Sequence, residues 1–208
     1  MKFSFSYFCA YFISILFHPI VYVSLGSLVL LLILPEYSFI HSEAKLAYLY
    51  RTFLLTYVFP IIAIPLYFGL SYLFKLRPNT YHTRLFLLIL TSFMYVFSYN
   101  ILSQHAVFAY PNTFLLLTTI LLFISLIISY FWRISLHMTG AGGFLGLILS
   151  LLFFRTIYSE ILIISSILIS GLVGYSRLRL NAHTESQLYT GFGVGLCTSL
   201  IFFFILIG

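Results

Sequence analysis

The chain has 208 residues, of which 62% are hydrophobic and 7% are charged, and its mean hydropathy is +1.12. Soluble domains carry roughly 25% charged residues, so this composition excludes an ordinary soluble protein and indicates an integral membrane protein. The formal charge is +6, from ten Lys and Arg against four acidic residues. Because the basic residues lie at the ends of apolar stretches, we expect them to contact anionic lipid head groups or an anionic substrate, not nucleic acid.

The length of the chain bounds its architecture. At roughly 20 residues per transmembrane helix, it holds about six or seven such helices and little else. We therefore predict an all-α fold, a polytopic membrane helix bundle that forms a single integral membrane domain over residues 1–208. Cys9 and Cys197 lie in apolar runs near opposite ends of the chain, and no metal-ligand spacing is present. We expect neither a metal nor another cofactor.

Hydrophobic runs in chain order predict the individual spans. His18-Pro19 interrupts the first run and predicts a short interfacial helix before it, and Pro60 and Pro65 predict kinks in the second span. Residues 36 to 51 read as a polar loop or short surface helix. The predicted spans cover about residues 18 to 35, 52 to 74, 85 to 103, 113 to 132, 140 to 154, 161 to 175 and 188 to 207. Glycines predict close helix packing in the last three spans: Gly140, Gly142, Gly143, Gly146, Gly171, Gly174, Gly191, Gly193 and Gly195.

Three polar segments separate these spans: residues 75 to 84, 135 to 137 and 176 to 187, here called the first, second and third polar segments. Polar groups at a membrane boundary are costly, so such clusters are functional-site hypotheses. Two predicted spans lie between the first and second segments, and two more between the second and third. We therefore expect all three segments to emerge on one side of the membrane.

The basic residues of these segments suit a phosphate. Arg77 and Arg84 are seven residues apart, which is about two helical turns, so both side chains would lie on one helix face. Arginine presents a planar fork that matches phosphate oxygens. Arg177 would add a third guanidinium and Ser176 a hydroxyl. The alternative interpretation is that these arginines only anchor helices at the membrane interface.

Two histidines complete this chemistry. An imidazole can accept a phosphoryl group when its other nitrogen is held by an acceptor, and a second imidazole can protonate the leaving oxygen. His137 and His183 lie in the second and third polar segments. They predict metal-free hydrolysis of a phosphate ester. A metal site ranks lower, because no carboxylate or thiol stands at a suitable spacing.

The order and spacing of these residues resemble the type 2 phosphatidic acid phosphatase superfamily. Its motifs are Lys-x6-Arg-Pro, Pro-Ser-Gly-His and Ser-Arg-x5-His-x3-Asp. The resemblance covers residues 75 to 195, and the third motif is the most specific. The corresponding residues are Arg77-x6-Arg84-Leu85, then Ile134-Ser135-Leu136-His137, then Ser176-Arg177-x5-His183-x3-Gln187.

The resemblance implies roles for these residues. His183 would be the nucleophile that forms a phosphohistidine, and His137 the general acid. Phosphate binding would fall to Arg77, Arg84, Ser135 and Arg177, to which the charge argument adds Ser176.

This sequence departs from the family at several positions, namely Arg77, Leu85, Ile134, Leu136 and Gln187. The most serious is Gln187, which stands where the family has an aspartate that orients the nucleophile. In a serine protease the comparable acid-to-amide change lowers the rate by about 10⁴.

The expected function is that of a membrane-embedded lipid phosphatase. Its substrates would be lipid monophosphates or diphosphates such as phosphatidic acid, phosphatidylglycerophosphate or undecaprenyl pyrophosphate, and its partners the membrane lipids. The resemblance implies a divergent bacterial branch, an inner-membrane location and a site on the extracytoplasmic face. The alternative is a catalytically silent member that binds phospholipid or serves as a partner subunit. A small transporter or channel ranks last, because the charges gather at one face.

Overall fold

The computed structural model describes residues 5–73, 80–155 and 158–207, and this part of the chain is all-helical. Three short non-α turns interrupt the helices: 3₁₀ turns at Pro35–Tyr37 and Ala106–Phe108, and a π-helical turn at Leu54–Val58. The α-helices are α1 Phe5–Leu16, α2 Val21–Ile33, α3 Ser42–Phe53, α4 Phe59–Leu73, α5 Thr80–Leu102, α6 Ala109–Phe131, α7 Leu136–Arg155, α8 Glu160–Arg179 and α9 Glu185–Ile207.

Six helical stretches of the described chain are long and apolar enough to cross a membrane, and α1 with α2 would make a seventh if the bent pair is one span. The predicted all-α fold of six or seven spans is therefore confirmed, and the protein is a multi-pass membrane protein. Two spans separate each polar segment from the next, as predicted. The six stretches are Ser42–Gly69, Tyr81–Leu102, Ala106–Phe131, Leu136–Arg155, Glu160–Arg179 and Glu185–Leu206.

The break at His18-Pro19 lies where the sequence predicted it. The chain bends by 62° between α1 and α2. Because α2 has only 13 residues, it is too short to cross a bilayer of about 30 Å by itself. The span predicted over residues 18 to 35 is therefore too long, because the α-helix in this region is only α2.

The second span begins earlier than predicted, because α3 continues into α4. The π-helical turn Leu54–Val58 joins them and ends two residues before Pro60. Proline has no N–H and its ring crowds the carbonyl four residues earlier, so regular α-helical bonding fails there. A π-helical turn accommodates this defect without ending the helix.

The chain divides into two compact units. The first contains residues up to Tyr22 together with those from Trp132 onward, and the second runs from Val23 to Phe131. The first unit therefore holds α1, α7, α8 and α9, and all of the second and third polar segments. The single domain expected from the sequence stays a prediction.

Helices α7 and α9 of the first unit pack in parallel through their glycines. A Cβ added to Gly191 would lie 2.7 Å from the Ser135 carbonyl oxygen, and one added to Gly195 would collide with the Thr139 carbonyl. The same is true on α7, where a Cβ at Gly142 would collide with the Phe192 carbonyl. The predicted close packing is confirmed here, and it brings the N-terminal ends of α7 and α9 together.

Not every glycine of these spans packs against a helix. A Cβ added to Gly171 or Gly193 would meet no atom within 4 Å. The prediction of close packing was wrong at these two positions, because no other described part of the chain approaches either glycine closely.

In the second unit, a buried hydrogen-bond network ties α3 to the start of α6. The Tyr48 hydroxyl donates to Asn112 Oδ1 at 2.8 Å, and Asn112 Nδ2 donates to the Leu102 carbonyl at 3.1 Å. The Tyr48 ring also stacks on Phe108, with centroids 4.3 Å apart. Such satisfied polar groups stabilise a buried helix junction.

Candidate functional site

A tight turn joins α8 to α9 and carries most of the third polar segment. The Ala182 N–H donates to the Arg177 carbonyl at 3.0 Å, and the Asn181 N–H donates to the Leu178 carbonyl at 2.9 Å. Asn181 has a positive φ of 51°. This is a Schellman motif with asparagine at the left-handed position. Helix α8 therefore extends to Arg179, four residues beyond the predicted end at 175, because the Schellman bonds satisfy its last carbonyls.

The start of α9 is closed by a reciprocal pair of hydrogen bonds. The Gln187 N–H donates to Thr184 Oγ1 at 3.4 Å, and the Thr184 N–H donates to Gln187 Oε1 at 3.2 Å. This is a capping box. Because the NH2 group of a glutamine amide cannot accept a hydrogen bond, the bond from the Thr184 N–H also identifies the oxygen end of the Gln187 amide. The Thr184-x-x-Gln187 spacing is the sequence signal from which this cap could have been predicted.

His183 lies between the two motifs and is oriented by the capping box. Its Nδ1 atom is 3.1 Å from Gln187 Oε1. Since Oε1 can only accept, Nδ1 carries the hydrogen and the neutral imidazole has its lone pair on Nε2. A nucleophilic histidine needs this tautomer, and here an amide oxygen selects it.

His137 lies in the first turn of α7, and its hydrogen bond is made by Nε2, whereas that of His183 is made by Nδ1. Its Nε2 atom donates to the Ser14 carbonyl oxygen at 3.0 Å. The ring packs edge-on against His18, with centroids 5.3 Å apart. Arg177 and His183 also lie close enough to interact electrostatically with this ring. The structure therefore brings both predicted histidines to one end of the first unit.

Arg177 is half-buried and has unused donor capacity. Its Nη1 atom donates to Ser14 Oγ at 2.5 Å. Its Nε atom is buried and has no hydrogen-bond partner among the described residues. Leaving a charged donor buried without an acceptor is costly. An anionic ligand would remove this cost.

The two serines of the predicted site differ in what their hydroxyls do. Ser135 precedes α7, and its N–H donates to the Gln187 carbonyl at 3.3 Å, which links α7 to α9. Its Oγ is fully buried and has no partner within the described chain. Ser176 is also fully buried, but its hydroxyl donates to the Val173 carbonyl at 2.8 Å. Of the two, only Ser135 has an unused hydroxyl proton.

Helix termini add to the positive potential of this region. The parallel packing of α7 and α9 brings two helix N-termini together beside the Ser135–Gln187 hydrogen bond. Each N-terminus carries a partial positive charge, which favours anions, although the Gln187 N–H of α9 is already bonded within the capping box. Together with Arg177 they make this end of the first unit suitable for a phosphate-sized anion.

The first polar segment belongs to the second unit. Arg84 lies near the start of α5, and its Nη2 atom donates to Ser129 Oγ on α6 at 3.3 Å. Arg77 lies outside the described residues. The predicted helix face shared by Arg77 and Arg84 therefore stays a prediction.

Two residues at this site were not assigned from the sequence. Ser14 contacts both His137 and Arg177, and it carries no motif signal because it lies in the apolar helix α1. His18, which the sequence marks only as part of the His18-Pro19 break, packs edge-on against the His137 ring. Among the described residues, no group of three or more His, Cys, Asp or Glu could hold a metal ion.

No protein-family model, curated protein or solved structure matches this chain. The geometry of the site is therefore the basis for a function.

Proposed function

We propose that this protein is a membrane-embedded lipid phosphatase that resembles the type 2 phosphatidic acid phosphatases. It hydrolyses a phosphate ester or anhydride of a lipid through a phosphohistidine intermediate on His183. The observation that carries the proposal is the contact of 3.1 Å between His183 Nδ1 and Gln187 Oε1. It favours the tautomer with the lone pair on Nε2, the atom that attacks phosphorus.

The reaction has two steps. In the first, His183 Nε2 attacks phosphorus, the bond from phosphorus to the lipid oxygen breaks, and His137 donates a proton to that oxygen. In the second, His137 takes a proton from water, the water oxygen attacks phosphorus, and the phosphorus–nitrogen bond breaks to release phosphate. Because His137 Nε2–H is held by the Ser14 carbonyl, Nδ1 is the nitrogen that carries the transferred proton.

The unused donors support a phosphate as the ligand. Arg177 Nε and Ser135 Oγ are buried without partners among the described residues. Both donate hydrogen bonds, whereas phosphate oxygens accept them, and the positive ends of the α7 and α9 helix dipoles favour an anion. The resemblance also implies phosphate-binding roles for Arg77 and Arg84, and a site on the extracytoplasmic side of a bacterial inner membrane.

The second candidate is a silent protein that binds lipid phosphate without hydrolysing it. Gln187 favours it, because the amide satisfies the helix cap and orients His183 but supplies no negative charge. An imidazolium formed during phosphoryl transfer is then less stabilised than beside a carboxylate.

The test is phosphate release from purified protein in detergent, with phosphatidic acid, phosphatidylglycerophosphate and undecaprenyl pyrophosphate as substrates. We expect release by the wild type in the presence of a metal chelator, and loss of release in His183→Ala and Arg177→Ala. Arg51→Ala is the control, since Arg51 contacts His105 in the second unit. Release that persists in His183→Ala would rule out the mechanism. Lipid phosphate binding without release would favour the silent protein.

A further inference from the structure

The hydroxyl of Ser14 lies inside the candidate site, although α1 belongs to none of the three polar segments. Ser14 is 6% exposed. Its Oγ is 2.5 Å from Arg177 Nη1 and 3.4 Å from His137 Nε2. Helix α1 is also held near its other end, where Arg179 Nε and Nη2 both donate to Ser6 Oγ at 3.3 and 3.1 Å. Ser14 is therefore fixed between the proposed phosphate-binding and general-acid residues.

The Ser14 hydroxyl still has a hydrogen to donate. A serine hydroxyl has one proton and two lone pairs. The Arg177 guanidinium can only donate, so Ser14 Oγ is the acceptor in that bond. His137 Nε2 donates to the Ser14 carbonyl, so it carries a hydrogen and cannot accept one from the hydroxyl. No acceptor for the Ser14 proton lies among the described residues.

We propose that Ser14 is a substrate-binding residue that donates its hydroxyl proton to a phosphate oxygen. This rests on the proposed function and adds to it a phosphate-binding residue that lies outside the three family motifs. An anion bound by Arg177 lies beside Ser14, because the two side chains share a hydrogen bond. A phosphate oxygen supplies the acceptor that the buried hydroxyl lacks. Helix α1 thus completes the phosphate site.

The alternative is that Ser14 competes with phosphate for Arg177. In that case Ser14 would occupy a donor of Arg177 that phosphate needs, and its removal would strengthen phosphate binding. The two roles predict opposite changes in affinity, so a single titration separates them.

The experiment measures the affinity of the purified full-length protein for inorganic phosphate, from the shift of its thermal unfolding midpoint in detergent. Loss of a hydrogen bond to a charged group corresponds to about 10- to 100-fold weaker binding, which we expect for Ser14→Ala. Ser150→Ala is the matched control, because Ser150 is also buried but its hydroxyl already donates to the Gly146 carbonyl at 2.7 Å. We expect its phosphate affinity to equal that of the wild type.

A second pair of variants keeps the test valid if Ser14→Ala does not fold. Ser14→Thr and Ser14→Val have nearly the same shape and differ in the hydroxyl. We expect the threonine variant to bind phosphate about tenfold or more tightly than the valine variant. Equal affinities in this pair would overturn the assignment.

The remaining outcomes separate this inference from the proposed function. Unchanged or tighter phosphate binding by Ser14→Ala, while Arg177→Ala binds weakly, would overturn the role of Ser14 alone. Phosphate binding that depends on Ser14, in a wild type that releases no phosphate from any lipid, would support Ser14 and overturn the phosphatase. A wild type that binds no phosphate would overturn both.

Discussion

Oε1 of Gln187 lies 3.1 Å from Nδ1 of His183 and accepts a hydrogen bond from the Thr184 N–H at 3.2 Å. One oxygen atom thus closes the start of α9 and orients the histidine. An amide oxygen at this position orients the imidazole as a carboxylate oxygen would, but it lacks the carboxylate's charge. For both contacts, the length of the side chain at position 187 is therefore as important as its functional group.

The variant Gln187→Glu is expected to raise the rate of phosphate release. Glutamate has the same reach as glutamine, so it keeps the capping box and adds a carboxylate beside His183 Nδ1. The gain in kcat should be tenfold or more, within the limit of about 10⁴ seen for the comparable change in a serine protease. Steady-state kinetics with phosphatidic acid measures it.

Two comparisons define the cause of that gain. Gln187→Leu removes both contacts and should lower kcat below the wild type. Gln187→Asp supplies charge with a side chain one methylene shorter, so it should gain less than the glutamate variant. A glutamate variant no faster than the leucine variant would contradict the orienting role.

Arg177→Lys should weaken inorganic phosphate binding by about tenfold. Lysine keeps the charge but loses the planar fork that contacts Ser14 and presents the buried Nε donor. The control is Arg51→Lys, which alters an exposed contact with His105. Titration of both variants checks the prediction, and equal losses would show a non-specific effect of charge geometry.

Gly195→Ala should destabilise the first unit by about 1 to 3 kcal/mol, the usual cost of overpacking. The added methyl group would collide with the Thr139 carbonyl and push α7 away from α9. Gly193→Ala, on the same helix, would meet no atom within 4 Å and should be neutral. Thermal unfolding in detergent compares the two, and similar midpoints would argue against the close parallel packing.

Asn181 should tolerate glycine but not valine. Its φ of 51° lies in the left-handed region, which costs most residues about 1 to 2 kcal/mol and glycine very little. We expect Asn181→Val to lower the unfolding midpoint and Asn181→Gly to leave it near the wild-type value. An unaffected valine variant would mean that the turn rearranges without loss of stability.

The sequence by itself determined the number of spans and the order of the polar segments. Hydrocarbon excludes unpaired backbone groups, so apolar runs of this length must become helices. The local part of the site was also readable, because the turn from Arg177 to His183 spans few residues. The predicted end of α8 and the predicted start of α9 were wrong by a few residues. The Schellman motif and the capping box allow polar residues such as Arg179 and Gln187 to belong to these helices.

Tertiary structure decided what the motifs could not show. Ser14 and Arg177 are 163 positions apart, and their contact depends on how α1 packs against α8. No local pattern in an apolar helix marks one serine as a site residue. The parallel approach of α7 and α9 likewise needed the contacts of Gly142 and Gly195. Hydropathy predicts the helices because the lipid environment requires each apolar segment to satisfy its own backbone hydrogen bonds. A functional site depends instead on which side chains come into contact. Those contacts are determined by packing between segments that are distant in the sequence.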